Sequence, residues 1–363
     1  MDEIGWTARR EGPVVWTQPQ RLWRPDGQAR KPPADRVPRS VAYGPAWRAL
    51  GGGWFVPRSA DPTVEQRILE VATVAGAVTT GSAALTGWAA LRLHGALYFG
   101  DDPAPGRPVE VVDPTRQLRA TSGRRPSRAA LPAGDVAVVA GVRCTRPERA
   151  LVDELRHLPD PVERVVAVDM AFAAHLTSVH RLRRWSRSAL GVTAVRRLEE
   201  LLDLCDERVL SPPESRLRSR WRAAGHPRPL CNARVHDDAG AFVGVPDLLD
   251  VEAGLAIEYD GAVHRSRARH RADTHRRERF EAAGLAVLVV VAGDLDDPGL
   301  DRRLTAARSR ALASTAPRRW EADPPWGPAR FTLDERIEHR ESTTRPRRPP
   351  AECADSVPGG PDD

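Results

Sequence analysis

The sequence predicts an α/β protein of at least two domains, and three observations support this. A chain of 363 residues is long enough to bury two modest hydrophobic cores. Apolar patterns typical of helices and of strands alternate from residue 62 to residue 313. Within that stretch, residues 211–313 follow the order αβββαβα. We therefore predict an irregular or degenerate winged-helix-like segment (1–60), a mixed α/β, mainly helical middle domain (61–205), a C-terminal α/β domain (206–315) and a disordered tail (316–363).

The composition permits a polyanionic partner. The formal charge is +6 and the isoelectric point is near 9.7, with Lys31 as the only lysine, so any catalytic role that usually requires lysine must be absent or reassigned. The longest apolar run, 285–292, is too short to cross a bilayer, and the first residues lack a secretory signal, so we expect a cytoplasmic protein. The cysteines lie far apart and fit reduced thiols, namely Cys144, Cys205, Cys231 and Cys353.

Turn and helix signals organise the first two predicted domains. Three glycines at 51–53 lead into Trp54–Pro57, which is typical of a turn before a short strand, as in the wing of a DNA-binding module. Helices are predicted over 62–75, 86–94, 147–158 and 162–174, and strands over 108–112 and 136–144, separated by an arginine-rich loop at 116–128. A further helical stretch, 181–205, leads to the C-terminal domain.

The C-terminal domain begins at a capping box. Ser211 and Glu214 flank two prolines, which predicts a helix that starts there and ends at Gly225. A meander of three strands is then predicted over 232–235, 242–249 and 255–259, followed by a helix over 266–283 that ends at Gly284. A buried strand over 285–291 and a helix over 301–313 complete the domain.

Acidic residues of this meander point to metal chemistry. Asp247 is predicted on the second strand, and Glu258 and Asp260 lie two apart on the third, so they share one face of the sheet. Carboxylates gathered at one sheet edge repel each other unless a cation binds, and Mg²⁺ or Mn²⁺ held there would polarise a phosphate and activate water. The alternative is that Asp247 merely flanks a turn and Glu258 lies on the surface of a strand.

Three further groups belong to the candidate site. Glu214 either joins the metal ligands or acts only as the capping residue of its helix. His264 follows the third strand and either acts on water or the leaving group, or caps the next helix. Arginines on the two helices are predicted to contact nucleic-acid phosphates, namely Arg218, Arg265, Arg269, Arg276 and Arg277. His270 and His275 are five residues apart and do not share a helix face, so zinc is not expected there.

Residues 211–294 contain five motifs in a fixed order, namely Glu214-Ser215-x-Leu217-Arg218, Gly244-x-Pro246-Asp247-Leu248, Glu258-Tyr259-Asp260-Gly261-x-x-His264, Asp273-x-x-Arg276 and Gly284-Leu285-x-Val287. Together they resemble a bacterial domain family related to very-short-patch-repair (Vsr) endonucleases, within the PD-(D/E)XK superfamily. The resemblance implies a restriction-endonuclease-like fold with Asp247 and Glu258 as the acidic pair and His264 near the scissile phosphate. Asp260 occupies the position of the superfamily's E-x-K lysine.

The middle region resembles another group. Gly81-Ser82-Ala83-Ala84, Leu93-His94-Gly95 and Arg143-x-Thr145-x-Pro147-x-Arg149-Ala150-Leu151-Val152-Asp153 are similar to the middle domain of actinobacterial proteins related to AbiEi-type antitoxins of type IV toxin-antitoxin systems. Relatives begin with a DNA-binding winged helix, of which only the possible wing at Trp54–Pro57 is visible here. Arg149 and Asp153 are one helical turn apart and are predicted to form a surface pair.

Two functions remain open from the sequence. The first is a metal-dependent DNA endonuclease or repair-type nuclease that uses Asp247 and Glu258. The second is a non-catalytic DNA-binding regulator or antitoxin that binds its own promoter and a cognate toxin. In both cases the expected partner is DNA.

Overall fold

The computed structural model describes residues 16–23, 34–78, 81–100, 106–261, 267–323 and 332–344, and of 267–274 and 343–344 it describes the backbone. Within these residues the chain forms four β-sheets and eleven α-helices, so the predicted α/β class is confirmed. No helix of the described part is long and apolar enough to span a membrane.

The N-terminal sheet is small. Its elements are β1 (Gln20–Leu22), β2 (Arg36–Val37), α1 (Arg39–Ala42), β3 (Trp47–Gly51) and β4 (Trp54–Pro57), with the strands in the order β2-β1-β4-β3. The predicted strand at Trp54 is confirmed, and it pairs antiparallel with β3. Gly51 at the end of β3 and the two glycines that follow it all have positive φ, which lets the chain reverse there without side-chain strain.

The middle region is built around a five-stranded sheet of order β7-β6-β5-β9-β8. Its strands are β5 (Ala84–Thr86), β6 (Val109–Val112), β7 (Arg124–Ser127), β8 (Val136–Val139) and β9 (Val142–Thr145). Its helices are α2 (Val64–Ala75), α3 (Gly87–Leu93), α4 (Pro147–Leu155), α5 (Pro161–Ala173), α6 (Val179–Ala189) and α7 (Val192–Leu202). The predicted helices are present, whereas the region predicted as an arginine-rich loop contains the edge strand β7.

Arg149 and Asp153 do not form a surface pair, contrary to the sequence prediction. Asp153 is 1% exposed, and its Oδ2 accepts hydrogen bonds from Arg149 Nε (2.8 Å) and from Thr86 Oγ1 (2.7 Å). The amphipathic pattern of α4 did not reveal this burial because the partner Thr86 lies 67 residues away in the sequence. The network ties α4 to the start of α3.

The C-terminal region follows the predicted order with shorter strands. Its helices are α8 (Pro212–Ala223), α9 (Arg267–Ala282) and α10 (Leu300–Leu312), and its strands are β10 (Leu230–Cys231), β11 (Val235–Asp237), β12 (Phe242–Gly244), β13 (Leu248–Asp250), β14 (Leu255–Asp260) and β15 (Ala286–Val291). One sheet has the order β10-β13-β14-β15, with β13 antiparallel and β15 parallel to β14.

The predicted three-stranded meander is divided between two sheets. The second predicted strand breaks into β12 and β13 around Pro246, which has no backbone N–H to donate to a ladder. β12 pairs with β11, and β13 pairs with β14. Asp247 therefore lies in the turn directly before β13 and not inside a strand.

The sequence predicts a disordered tail over 316–363, but part of this segment is ordered in the structure. A short strand, β16 (Trp320–Ala322), pairs antiparallel with β11. A helix, α11 (Leu333–Thr344), buries Leu333 and Ile337 in the core of the middle region. The Pro- and Arg-rich composition concealed these two elements because their stabilising contacts are with distant parts of the chain.

The predicted boundary at residue 205 is crossed by a shared core. Val166 and Met170 of α5 pack in the same cluster as Leu217 and Trp221 of α8 and the buried residues of β13 and β14. Burial of apolar surface is the main favourable term in such packing. The C-terminal sheet is thus packed, through α8, against the middle region.

Candidate functional site

The site begins at the N-terminus of α8, where Ser211 is the N-cap as predicted, whereas Glu214 accepts from the backbone of Leu210 and not from that of Ser211 as a capping box requires. The Ser211 hydroxyl accepts a hydrogen bond from the backbone N–H of Glu214 at 3.4 Å. The Glu214 carboxylate is buried and accepts from Leu210 N (3.0 Å), Ser211 Oγ (2.7 Å) and Asn232 Nδ2 (2.8 Å). These three donors occupy both oxygens, so in this structure Glu214 serves as a cap and as an anchor for Asn232.

Asp247 and Glu258 lie opposite each other at the start of β13. In the antiparallel register Leu248 pairs with Ile257, and extending this register by one residue places Asp247, just before the strand, beside Glu258. The charge of Glu258 raises the pKa of Asp247, in agreement with that placement. Residues directly opposite each other in an antiparallel pair project to the same face of the sheet. The backbone N–H of Tyr259 donates to Asp247 Oδ2 at 2.6 Å. The sequence prediction that the two strands bring these acids together agrees with this register.

The carboxyl group of Asp247 has a raised pKa. Burial raises the pKa of its carboxyl to about 7, with further increases from Glu214 and Glu258, while the Tyr259 hydrogen bond and Arg276 act in the opposite direction. Burial also raises the pKa of Glu214. Carboxylates in such a position are costly to ionise unless a positive charge lies close by.

Glu258 forms an ion pair with Arg276, an arginine that the sequence analysis predicts to contact nucleic-acid phosphates. Arg276 of α9 approaches it with two nitrogens, Nε at 3.0 Å from Oε1 and Nη2 at 3.2 Å from Oε2. The Glu258 side chain is 4% exposed, whereas that of Arg276 is 36% exposed. Of these two contacts, that of Nη2 has hydrogen-bond geometry and that of Nε is an ion-pair contact. Hydrogen bonds between charged groups are stronger than those between neutral ones.

The other predicted site residues are placed as follows. Asp260 is the last residue of β14 and is half-buried, on the same strand as Glu258. His264 and Arg265 lie outside the described residues, and Arg269 lies on α9 where only the backbone is described. Arg277 is half-buried on α9, next to Arg276.

Arg218 is not available for nucleic acid, which corrects its predicted role. The residue is 2% exposed, its Nη2 donates to Asp169 Oδ2 of α5 at 2.6 Å, and Nη1 donates to the carbonyl of Leu204. Asp169 also accepts from Ser215 Oγ at 2.5 Å and from Asp206 N at 2.9 Å. Arg218 therefore joins α8 to α5. Helical spacing alone did not distinguish this buried arginine from the exposed ones of α8.

Asn232 is a site residue that the sequence analysis missed. Its side chain donates to Glu214, and its backbone N–H donates to the carbonyl of Asp247 at 3.1 Å, so it connects the cap of α8 with the acidic turn. Its φ of 46° lies in the left-handed region. Asparagine tolerates this region better than most residues, and its position just after the short strand β10 was the available sequence signal.

Among the described residues there is no group of three or more His, Cys, Asp or Glu side chains arranged to hold a metal ion. The three cysteines of this part, Cys144, Cys205 and Cys231, are free and buried, and burial raises the pKa of each thiol, as expected for structural cysteines. Comparisons of the chain with protein-family models, with curated proteins and with solved structures gave no match.

Proposed function

We propose that the C-terminal region is a metal-dependent nuclease domain with a restriction-endonuclease-like fold that hydrolyses phosphodiester bonds in DNA. The observation that carries the proposal is the cross-strand placement of Asp247 and Glu258, together with the raised pKa of Asp247. The element order supports it as well, since β13 and β14 form the acidic hairpin and α9 crosses over to the parallel strand β15.

The residues present fit a hard divalent cation. Asp247 and Glu258 supply carboxylate oxygens, which are the donors that Mg²⁺ and Mn²⁺ prefer. The repulsion and burial that raise the Asp247 pKa are what a bound cation would relieve. When bound, such an ion supplies Lewis-acid activation of the phosphate and of the attacking water. Glu214, already held by three donors, is not needed as a ligand.

Arg276 has to change partner for this to happen. In the structure its guanidinium neutralises Glu258, and its partial exposure leaves it within reach of solvent and of a bound phosphate. A guanidinium binds phosphate in the same two-point geometry as it binds carboxylate. We therefore assign Arg276 two alternative roles: it neutralises Glu258 in the free protein and contacts the DNA backbone in the complex.

The test is cleavage of supercoiled plasmid, single-stranded DNA and mismatched duplex in the presence of Mg²⁺ or Mn²⁺. We expect cleavage by the wild-type chain and a loss of at least about 100-fold in Asp247→Asn, which keeps the side-chain volume. The matched control is Asp250→Asn, because Asp250 is a buried acid three residues further along the chain, at the end of β13, and it pairs with Arg308 and not with the acidic pair. Equal cleavage by wild type and Asp247→Asn, or none by the wild type, would refute the proposal.

A second candidate function is a non-catalytic DNA-binding regulator of the antitoxin type. It is favoured by the ion pair itself, because Arg276 already compensates Glu258 without any metal. It is favoured too by Asp260 at the position of the usual lysine. This alternative predicts saturable, salt-sensitive binding to the protein's own promoter that persists in Asp247→Asn and in the presence of a chelator.

A further inference from the structure

An exposed row of arginines lies on the middle region, at the edge of the five-stranded sheet. We call Arg119, Arg125 and Arg128 the arginine edge. Arg125 is on β7, the others flank that strand, and all three side chains are exposed. β7 pairs with β6 on one side and is the outermost strand of its sheet.

The loop that carries the arginine edge is fixed by internal bonds. The buried Asp113 accepts from the backbone N–H of Thr115 and of Arg116, both at 3.0 Å, and from Ser82 Oγ at 3.1 Å. The guanidinium of Arg124 donates two hydrogen bonds to the backbone carbonyl of Arg119, from Nε at 3.1 Å and from Nη2 at 2.9 Å. The arginines are therefore presented on an ordered support, which limits the entropy lost when they bind.

Arginines outnumber acids in the segment that forms this surface. Residues 107–128 contain six arginines and two acids, Glu110 and Asp113. Both acids are buried and engaged, Glu110 with His157 at 2.7 Å and Asp113 with the turn. Arg125 lies opposite Glu110 in the strand register and lowers the pKa of that buried carboxyl, so part of its charge is balanced there. Arg183 and Arg196 on α6 and α7 each pair with a glutamate.

We propose that the arginine edge binds the phosphate backbone of nucleic acid. Arg125 and Arg128 are three positions apart on a largely extended chain, so their Cα atoms are about 10 Å apart and their side chains lie on opposite sides of the sheet edge. Duplex DNA presents one negative charge per about 1.7 Å, so this span faces several phosphates. Contacts of this kind position a duplex without reading its sequence. The proposal goes beyond the nuclease site, because it places nucleic acid on a different sheet and does not require cleavage.

Charged side chains on an edge strand also prevent strands of other molecules from pairing with it. That role and phosphate binding predict different results when the arginines are replaced. A protective role predicts self-association of the variant and unchanged affinity for DNA. Phosphate binding predicts loss of affinity and a smaller salt dependence.

The experiment measures binding of a fluorescein-labelled 30-base-pair duplex by anisotropy, with the full chain, in a chelator and over a series of salt concentrations. The test variant is Arg119→Gln/Arg125→Gln/Arg128→Gln. The control is Arg184→Gln/Arg187→Gln/Arg197→Gln, which removes the same charge from exposed arginines of α6 and α7 in the same region. Circular dichroism and analytical ultracentrifugation check that both variants are folded and monodisperse.

We expect the slope of log Kd against log salt concentration to fall by about 2 to 3 in the test variant, with an affinity loss of at least about tenfold at 0.1 M salt. The control should keep the slope of the wild type to within about 1. Absence of salt-sensitive binding in the wild type, or equal losses in the two variants, would overturn the proposal. The nuclease proposal is tested separately. No metal is present in this binding experiment, so cleavage is not expected, and its outcome does not bear on the metal-dependent reaction.

Discussion

Two buried acid–arginine pairs in this molecule have the same chemistry and different surroundings. Asp169 and Arg218 are 0% and 2% exposed and join α5 to α8, with additional bonds to Ser215 and to the backbone of Asp206. Glu258 is equally buried, but its partner Arg276 is 36% exposed. We call Asp169–Arg218 the closed pair, because both side chains are buried, and we infer that it stabilises the packing of two helices. We call Glu258–Arg276 the open pair, because its arginine reaches solvent and can leave the carboxylate to another ligand.

The largest expected loss of stability is caused by removing the carboxylate of Asp169 from the closed pair. Asp169→Ala leaves the Arg218 guanidinium buried without its carboxylate, and we expect a loss of about 3 to 5 kcal/mol in the free energy of unfolding, measured by urea denaturation. Glu163→Gln, which breaks the partly exposed pair with Arg216, should cost less than about 1 kcal/mol. A cost below about 1 kcal/mol for Asp169→Ala would contradict the interpretation of this pair as a structural joint.

The open pair should respond to metal. Arg276→Met removes the cation from the buried Glu258, and we expect an unfolding free energy lower by about 2 to 3 kcal/mol in a chelator. Mn²⁺ should raise the melting temperature of this variant more than that of the wild type, because Asp247 and Glu258 are then free to bind the ion. The double variant Arg276→Met/Asp247→Asn should lose that response. Equal responses of all three proteins would argue against a metal site at these acids.

Asp247 should make the stability of the protein depend on pH. Its pKa is raised from 3.8 to about 7 in the folded chain, so the folded state takes up a proton at higher pH than the unfolded state. The stabilisation from this proton is complete below pH 4 and is lost as the pH rises through 7. We expect the unfolding free energy in a chelator to fall by about 1 kcal/mol more between pH 6 and pH 8 in the wild type than in Asp247→Asn. Identical pH profiles would contradict the raised pKa.

The smallest expected effect is at the cap of α8. Glu214→Gln retains an oxygen that accepts hydrogen bonds, so we expect a loss of about 1 kcal/mol or less in the unfolding free energy. If Glu214 is a cap and not a ligand, Mn²⁺ should shift the melting temperature of this variant as much as that of the wild type. A lost metal response in a stable Glu214→Gln protein would make Glu214 a ligand.

Local signals predicted the local structure well. The sequence pattern of a capping box placed the start of α8 at Pro212, and the glycines at 225 and 284 adopt the positive φ expected where helices end. The register that brings Asp247 opposite Glu258 followed from the order of the strands. These features depend on short stretches of sequence, and their physical causes lie within a few residues.

The errors concern contacts between distant residues. Arg218 and Arg276 lie on polar helices of similar composition, but the structure buries the first against α5 and leaves the second partly exposed beside Glu258. The strand β16 and the helix α11 were missed because their partners are β11 and the middle core. Asp169, the partner of Arg218, lies 49 residues away on another helix, and the periodicity of a single helix does not show such a partner, so buried and exposed arginines could not be told apart.

The segment that follows α10 contacts both the C-terminal and the middle region. β16 completes the sheet of β11 and β12, and α11 then packs against the middle region, where Arg181 of α6 pairs with Asp334 at 2.8 Å. The C-terminal sheet is therefore secured to its neighbour twice, by the shared core of α5 and α8 and by the segment that follows it. Two attachment points remove most of the hinge freedom that a single linker allows. The arginine edge of the middle region and the acidic pair of the C-terminal region are thus held relative to each other by two sets of packing contacts.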